Sequence, residues 1–111
     1  MNFLKFNLAN IISIICGLIF LIIAFYFPKI KQNTVVGIKT KWTLKNEEVW
    51  NQTHRLGKIT WIIGGVLFIG NIFFNSELMY VLNIIIGLCF IIIVPYVYSY
   101  IIWNKKQKMN R

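Results

Sequence analysis

Histidines, carboxylates and thiols build most active sites and metal centres, and this chain of 111 residues holds six of them. His54 is the one histidine, Glu47, Glu48 and Glu77 are the acids, and Cys16 and Cys89 are the thiols. Adjacent residues on a helix do not face each other, so Glu47 and Glu48 do not form a working carboxylate pair. One imidazole builds no zinc site. Both cysteines sit in the middle of long apolar runs, where they read as small packing residues rather than as a disulfide framework. A lone histidine beside Arg55 at the end of a helix suits hydrogen bonding or a phosphate contact better than proton abstraction. No catalytic set, metal site or cofactor is expected, and the chain reads as a non-enzyme.

What remains is positive charge. Twelve Lys and Arg against three acids give a formal net charge of +9. Lys29, Lys31, Lys39, Lys41, Lys45, Arg55, Lys58, Lys105, Lys106, Lys108 and Arg111 fall in two segments, and Lys5 stands alone. Between and before them the sequence is nearly charge-free: 58% of residues are apolar and 14% charged, where soluble domains carry about a quarter charged. Basic residues that flank apolar runs serve topology and anionic lipid, at about 1 kcal/mol each near the surface. A nucleic-acid partner is not expected.

These groups must be positioned by elements built for lipid. Residues 8–27 contain no Asp, Glu, Lys, Arg or His and, at a rise of about 1.5 Å per residue, measure about 30 Å, one hydrocarbon thickness. The run is too long for a signal peptide and ends in Phe25, Tyr26, Phe27 and Pro28 rather than a small-residue cleavage site, so it reads as a retained span. A second span is predicted over 59–75, short enough that Lys58 should snorkel at its end. The third, over 78–103, is longer than a bilayer needs. In it Pro95 removes a backbone donor and predicts a kink, and Tyr96, Tyr98, Tyr100 and Trp103 should rise through the headgroup region. The tight turn at 75–77 makes the last two spans an antiparallel hairpin.

Small and polar residues recur at helical spacing on each span: Asn10, Ser13, Gly17 and Ala24; Gly57, Gly64 and Asn71; Asn83 and Gly87. Lipid supplies little hydrophobic drive between helices, so close backbone approach and polar contacts hold them together. The stripes are read as an internal packing seam, with a ligand path or a homo-oligomeric seam as the alternatives. With three spans, the connector 28–58 and the C-terminal tail share one side, which carries the basic excess. An excess of Lys and Arg marks the cytoplasmic face, so the N-terminus is predicted outside and the connector inside.

The connector should be folded. Residues 32–42 are rich in β-branched types around Gly37, which favours extended backbone and a turn. Thr43 or Asn46 can cap a helix whose first turn holds Glu47 and Glu48. Val49, Trp50, Thr53 and Leu56 then share one face of that helix, which is predicted to lie in the membrane interface with Trp42 anchoring the same surface. The expected class is an all-α integral membrane protein, a single domain over 1–111, with three transmembrane helices, an interfacial amphipathic helix and a short extended segment in the first connector.

Asn33, Gly37, Ile38, Lys39, Thr40, Trp42, Thr43 and Leu44, followed by Glu48, Trp50, Thr53, His54 and Arg55, resemble the signature of the SdpI family of bacterial membrane proteins, named for immunity to a secreted peptide toxin. The resemblance runs over essentially 19–103. Lys39 stands where the family usually has Arg, which gives up bidentate recognition of a carboxylate or phosphate. The additional N-terminal spans of longer members are not among these residues. What the resemblance implies is immunity to a peptide toxin or bacteriocin at the bacterial cytoplasmic membrane and, in some members, signalling by holding a cytoplasmic repressor there.

Three functions follow for test: an immunity factor, a membrane-tethered adaptor for a repressor or other protein, and an auxiliary subunit of a transporter. A proton-coupled carrier in its own right is excluded by the lack of ionisable residues within the spans. The expected partners are the bilayer, with anionic lipid at the basic face, and a toxin, a repressor or another membrane protein. For Asn33, Gly37, Lys39, Thr40, Trp42, Thr43, Leu44, Glu48, Trp50, His54 and Arg55, two readings stand side by side. These residues fold the connector, or they present a recognition surface, and the same residues can do both.

Overall fold

The computed structural model of the chain describes residues 8–109; Lys5 and Arg111, which enter the charge argument, lie outside the described residues. Helix α1 covers Leu8–Tyr26 and closes in a 3-10 turn, Phe27–Lys29. After the connector, α2 runs over Glu47–Ile69 and tightens into a second 3-10 turn, Gly70–Phe73. Helix α3, Glu77–Leu88, passes through a π-helical turn, Cys89–Ile93, into α4, Val94–Met109, without a break. Three helical rods of 22, 27 and 33 residues are long and apolar enough to cross a membrane. No strand occurs among the described residues.

The distribution of residue types is inverted relative to a soluble bundle. Ile11, Ile15, Leu18, Ile22, Ile85 and Ile92 point outward, while Asn10, Ser13, Thr60, Asn71, Asn83 and Ser99 are buried. Helix α2 is the central element: α1 packs on one side of it and α3 with α4 on the other, and α1 makes no close backbone approach to α3 or α4 among the described residues. Two adjacent glycines make this possible. Gly65 faces α1, where a Cβ would stand 2.8 Å from the Gly17 carbonyl oxygen, and Gly64 faces the third rod, where a Cβ would meet Ile91 at 2.6 Å and the Gly87 carbonyl at 3.2 Å. One residue is about 100° of helix rotation, so a Gly–Gly pair opens two faces at one level. Gly17, Gly57, Gly64 and Gly87 are all buried between elements.

Away from the connector, side-chain amides and a hydroxyl tie the rods. Ser13 donates to the Phe68 carbonyl (2.6 Å), the Asn71 amide donates to Ser13 (3.1 Å), and the Asn83 amide donates to Asn71 and to the Leu67 carbonyl (2.6 Å). Bonds of this kind supply association where apolar burial cannot, at about 0.6 kcal/mol each.

The expected disruption at Pro95 takes a specific form. Proline has no N–H, so the carbonyl of Ile91, four residues earlier, loses its helical partner. The indole N–H of Trp61 on α2 supplies one instead, at 3.1 Å. The helix accommodates the proline with the π turn immediately before it and continues to Met109.

In the connector the structure differs from the expected arrangement in two details. The helix expected to lie in the interface and run into the second span is the first turns of α2, continuous through Gly57, and its apolar face is covered by protein: Val49, Trp50, Thr53 and His54 are buried. Residues 32–42, expected to be extended around a turn, form bends and a turn and pair with no strand. The physical cause is the same in both cases. The connector folds back across α2, where the Trp50 N–H and the His54 ring bond the connector backbone, and those bonds take the place of a ladder. Asn46 caps α2, accepting from the Val49 amide at 3.0 Å.

Candidate functional site

The connector is built around three small networks. In the first, Asn33 closes a loop on itself: its side-chain oxygen accepts from the amides of Val35 and Val36 (both 2.8 Å), and its amide donates to the carbonyls of Lys31 (2.7 Å) and Val36 (3.1 Å). Asparagine does this readily because its side chain mimics a backbone turn.

The second network locks the connector to α2. Trp50 is fully buried, donates its indole N–H to the Ile30 carbonyl at 2.9 Å, and stacks on His54 with ring centroids 4.2 Å apart. The Ile38 amide donates to Nε2 of His54 (2.9 Å), so the ring hydrogen is on Nδ1, which donates to the Trp50 carbonyl (2.8 Å). Both nitrogens are occupied, and one neutral tautomer is selected. Phe27 packs edge-on against the same ring at 5.4 Å. Gly37 must cross this surface with φ +126°, a left-handed conformation for which glycine is the natural residue. A Cβ there would lie 2.7 Å from Nε2 of His54 and 2.8 Å from the Trp50 ring.

The third network ties the connector to α4. Thr43 donates to the Ile38 carbonyl (2.9 Å) and accepts from the Thr40 amide (2.8 Å), while the Thr40 oxygen accepts from the amides of Trp42 (3.2 Å) and Thr43 (3.1 Å). Ser99 donates to the Tyr96 carbonyl (2.7 Å), which leaves the Thr40 hydroxyl to donate to Ser99 across 3.1 Å. Trp42 packs edge-on against Tyr96 and Tyr100, with Lys41 over its indole. Lys106 of α4 pairs with Glu48 of α2. The basic connector and the basic end of α4 therefore meet at one end of the bundle.

The eleven connector residues singled out from the sequence divide by exposure. Thr40, Thr43, Trp50 and His54 are buried, Asn33, Gly37 and Trp42 are half-buried, and Lys39, Leu44, Glu48 and Arg55 are exposed. The buried four do not lie on a surface; they form the interior on which the exposed ones are mounted. Trp42 rests against α4 rather than beside Trp50.

Beneath the connector lies an apolar groove of about 490 Å³. Ile23 and Phe27 form one wall, Ile91, Ile92 and Tyr96 the other, and Trp61 the floor; Val36 to Thr40 of the connector close its end. Sequence reasoning passes over Trp61, Phe27 and Ser99. A tryptophan inside a span and a proline four residues after Ile91 are each visible signals, but nothing local pairs them. Among the described residues no group of three or more His, Cys, Asp or Glu could hold a metal ion.

Comparison with known proteins bears on this same region. The family model of the SdpI/YfhL protein family matches residues 29–99. The chain is also 33% identical over 86 residues to the immunity protein SdpI of Bacillus subtilis (strain 168), an alignment covering 74% of this chain and 42% of that protein. The chain thus spans less than half the length of that relative. No solved structure matches.

Proposed function

This chain belongs to the SdpI/YfhL protein family, and from that premise we propose that it is an immunity factor protecting a bacterial membrane against a secreted antimicrobial peptide. The observation that carries the reading is the extent of the family match, which runs from Lys29 at the start of the connector to Ser99, its anchor on α4. That range takes in the hydrogen bonds of all three connector networks and the groove's floor and α4-side wall, Trp61, Ile91, Ile92 and Tyr96. The chain is a multi-pass membrane protein, and the role fits a binding surface rather than a reaction. Lys39, Leu44, Arg55 and the Asn33 loop are the exposed groups that would meet a toxin or the membrane component it attacks; Thr40, Thr43, Trp50 and His54 hold them in place.

The experiment is expression in a bacterial strain sensitive to a panel of secreted antimicrobial peptides, followed by challenge. Survival above an empty-vector control is expected against at least one peptide, and it should fall when Gly37, which touches both Trp50 and His54, is replaced by valine. Survival equal to the empty vector across the panel would remove the immunity reading.

Orientation belongs to the same proposal. The connector and the end of α4 carry the basic residues and should face the cytoplasm. In a variant with Cys16 and Cys89 replaced by alanine, Lys45→Cys should resist a membrane-impermeant thiol reagent in intact cells, while Ser76→Cys at the other end should react. Lys45 and Ser76 are both exposed, so access to the reagent, not burial, decides the result. The reverse labelling pattern would invert the molecule.

A further inference from the structure

We propose that the groove between α1 and α4 is a binding site for one anionic phospholipid, its acyl chain lying on Trp61 and its phosphate held at Lys39. The argument begins with the shape. Because α2 separates α1 from the third rod, a channel is left along α2 that no side chain fills, walled by Phe27 on one side and Ile91 and Ile92 on the other. Its floor is fixed in advance: Trp61 is held by its bond to the Ile91 carbonyl and by edge-on contacts with Phe20 (5.2 Å) and Phe27 (4.8 Å). A pre-formed apolar surface lowers the ordering cost of binding.

Size and charge select the occupant. A volume of about 490 Å³ lies in the range of small-molecule sites. A helix of about 10 Å diameter would place only about one turn in it, which disfavours a helical segment of a partner or of a second copy. An extended hydrocarbon chain needs no such width. The groove is apolar along its length and changes character at the connector end, where Lys39, Thr40 and Tyr96 line it. Lys39 is exposed, and its ammonium makes one long contact, to the Thr34 carbonyl at 3.4 Å. Of its three donors, two remain for a phosphate. Lys29, over the Tyr26 ring at the α1 side of the same end, adds a second positive charge. An apolar body ending in positive charge and tyrosine is the complement of an anionic phospholipid, with the tyrosines at headgroup level where such rings are favoured. This site is independent of whether the protein confers immunity.

Native mass spectrometry of the intact chain released from detergent tests it, with phosphatidylglycerol and phosphatidylcholine titrated separately. One phosphatidylglycerol per chain should be retained, and phosphatidylcholine should bind more weakly. Ile92→Trp, placed in the wall, should abolish retention. Lys39→Gln should weaken phosphatidylglycerol about fivefold and phosphatidylcholine by less, since the choline cation already offsets its phosphate, while Lys45→Gln, outside the groove, should alter neither. Lys39 is exposed, so its variant tests the site even if the Ile92 variant fails to fold. Equal binding of the two lipids by the wild type, an unchanged affinity in Lys39→Gln, or a dimer mass lost in Ile92→Trp would each overturn the proposal, the last by showing a second copy in the groove.

Discussion

Replacing Trp50 by alanine should destabilise the folded connector by about 3–5 kcal/mol, the cost usual for emptying a buried aromatic site. Trp50 is fully buried, and its ring is the plane on which His54 stacks and over which Gly37 passes. Removing it leaves a void and strips the Ile30 carbonyl of its indole donor. Trp50→Phe separates the two contributions: it keeps most of the ring and drops the N–H, so about 1 kcal/mol should be lost. Thermal unfolding in detergent reads the difference. Limited trypsin digestion localises it, because cleavage after Lys39 and Lys41 should accelerate in the alanine variant while the spans stay protected. A Trp50→Ala protein with wild-type melting and unchanged connector cleavage would mean that the indole does not hold this region.

Gly65→Val acts at the opposite kind of contact, where no side chain is present to be lost. The atoms nearest a Cβ at Gly65 are the Gly17 carbonyl oxygen at 2.8 Å and the Leu21 side chain at 3.0 Å, and a Cβ at Gly17 would meet the Gly65 carbonyl at 2.6 Å. Backbone cannot rotate aside, so α1 must move away from α2. Overpacking of this sort costs about 1–3 kcal/mol or more. The expected result is a lowered unfolding midpoint in a denaturing-detergent titration. Gly70→Ala is the matched control: Gly70 has ordinary helical dihedrals and nothing within 4 Å of a Cβ, so its midpoint should stay within error of wild type. If the two variants behaved alike, the close approach of α1 and α2 would be unsupported.

How far the sequence reaches is clearest at particular residues. Hydropathy is a sum over neighbours, and membrane spans are set by that sum. For that reason three helices able to cross the bilayer, the turn after Phe74 and the collection of basic charge at one end are all legible in the order of residues alone. The stripe of Asn10, Ser13, Gly17, Gly64, Asn71, Asn83 and Gly87 is legible too, since small and polar residues stand out against Ile and Leu. Gly65 is not, because a second glycine beside Gly64 belongs to a different face and only the presence of two neighbours gives it meaning. The SdpI-type connector motif names a family without showing which of its residues face inward.

That last question belongs to the tertiary structure. Val49, Trp50 and Thr53 give the same periodic signal whether their face meets lipid headgroups or protein. What decides is where the Trp50 N–H and the His54 nitrogen find partners, and those are the Ile30 carbonyl and the Ile38 amide, 20 and 16 residues away. Ser99, which receives Thr40, is 59 residues distant. Local composition determined which segments enter the membrane, since transfer free energy adds up residue by residue. The fold alone determined the inside of the connector and the groove under it, since directional bonds between distant residues leave no trace in any local sum.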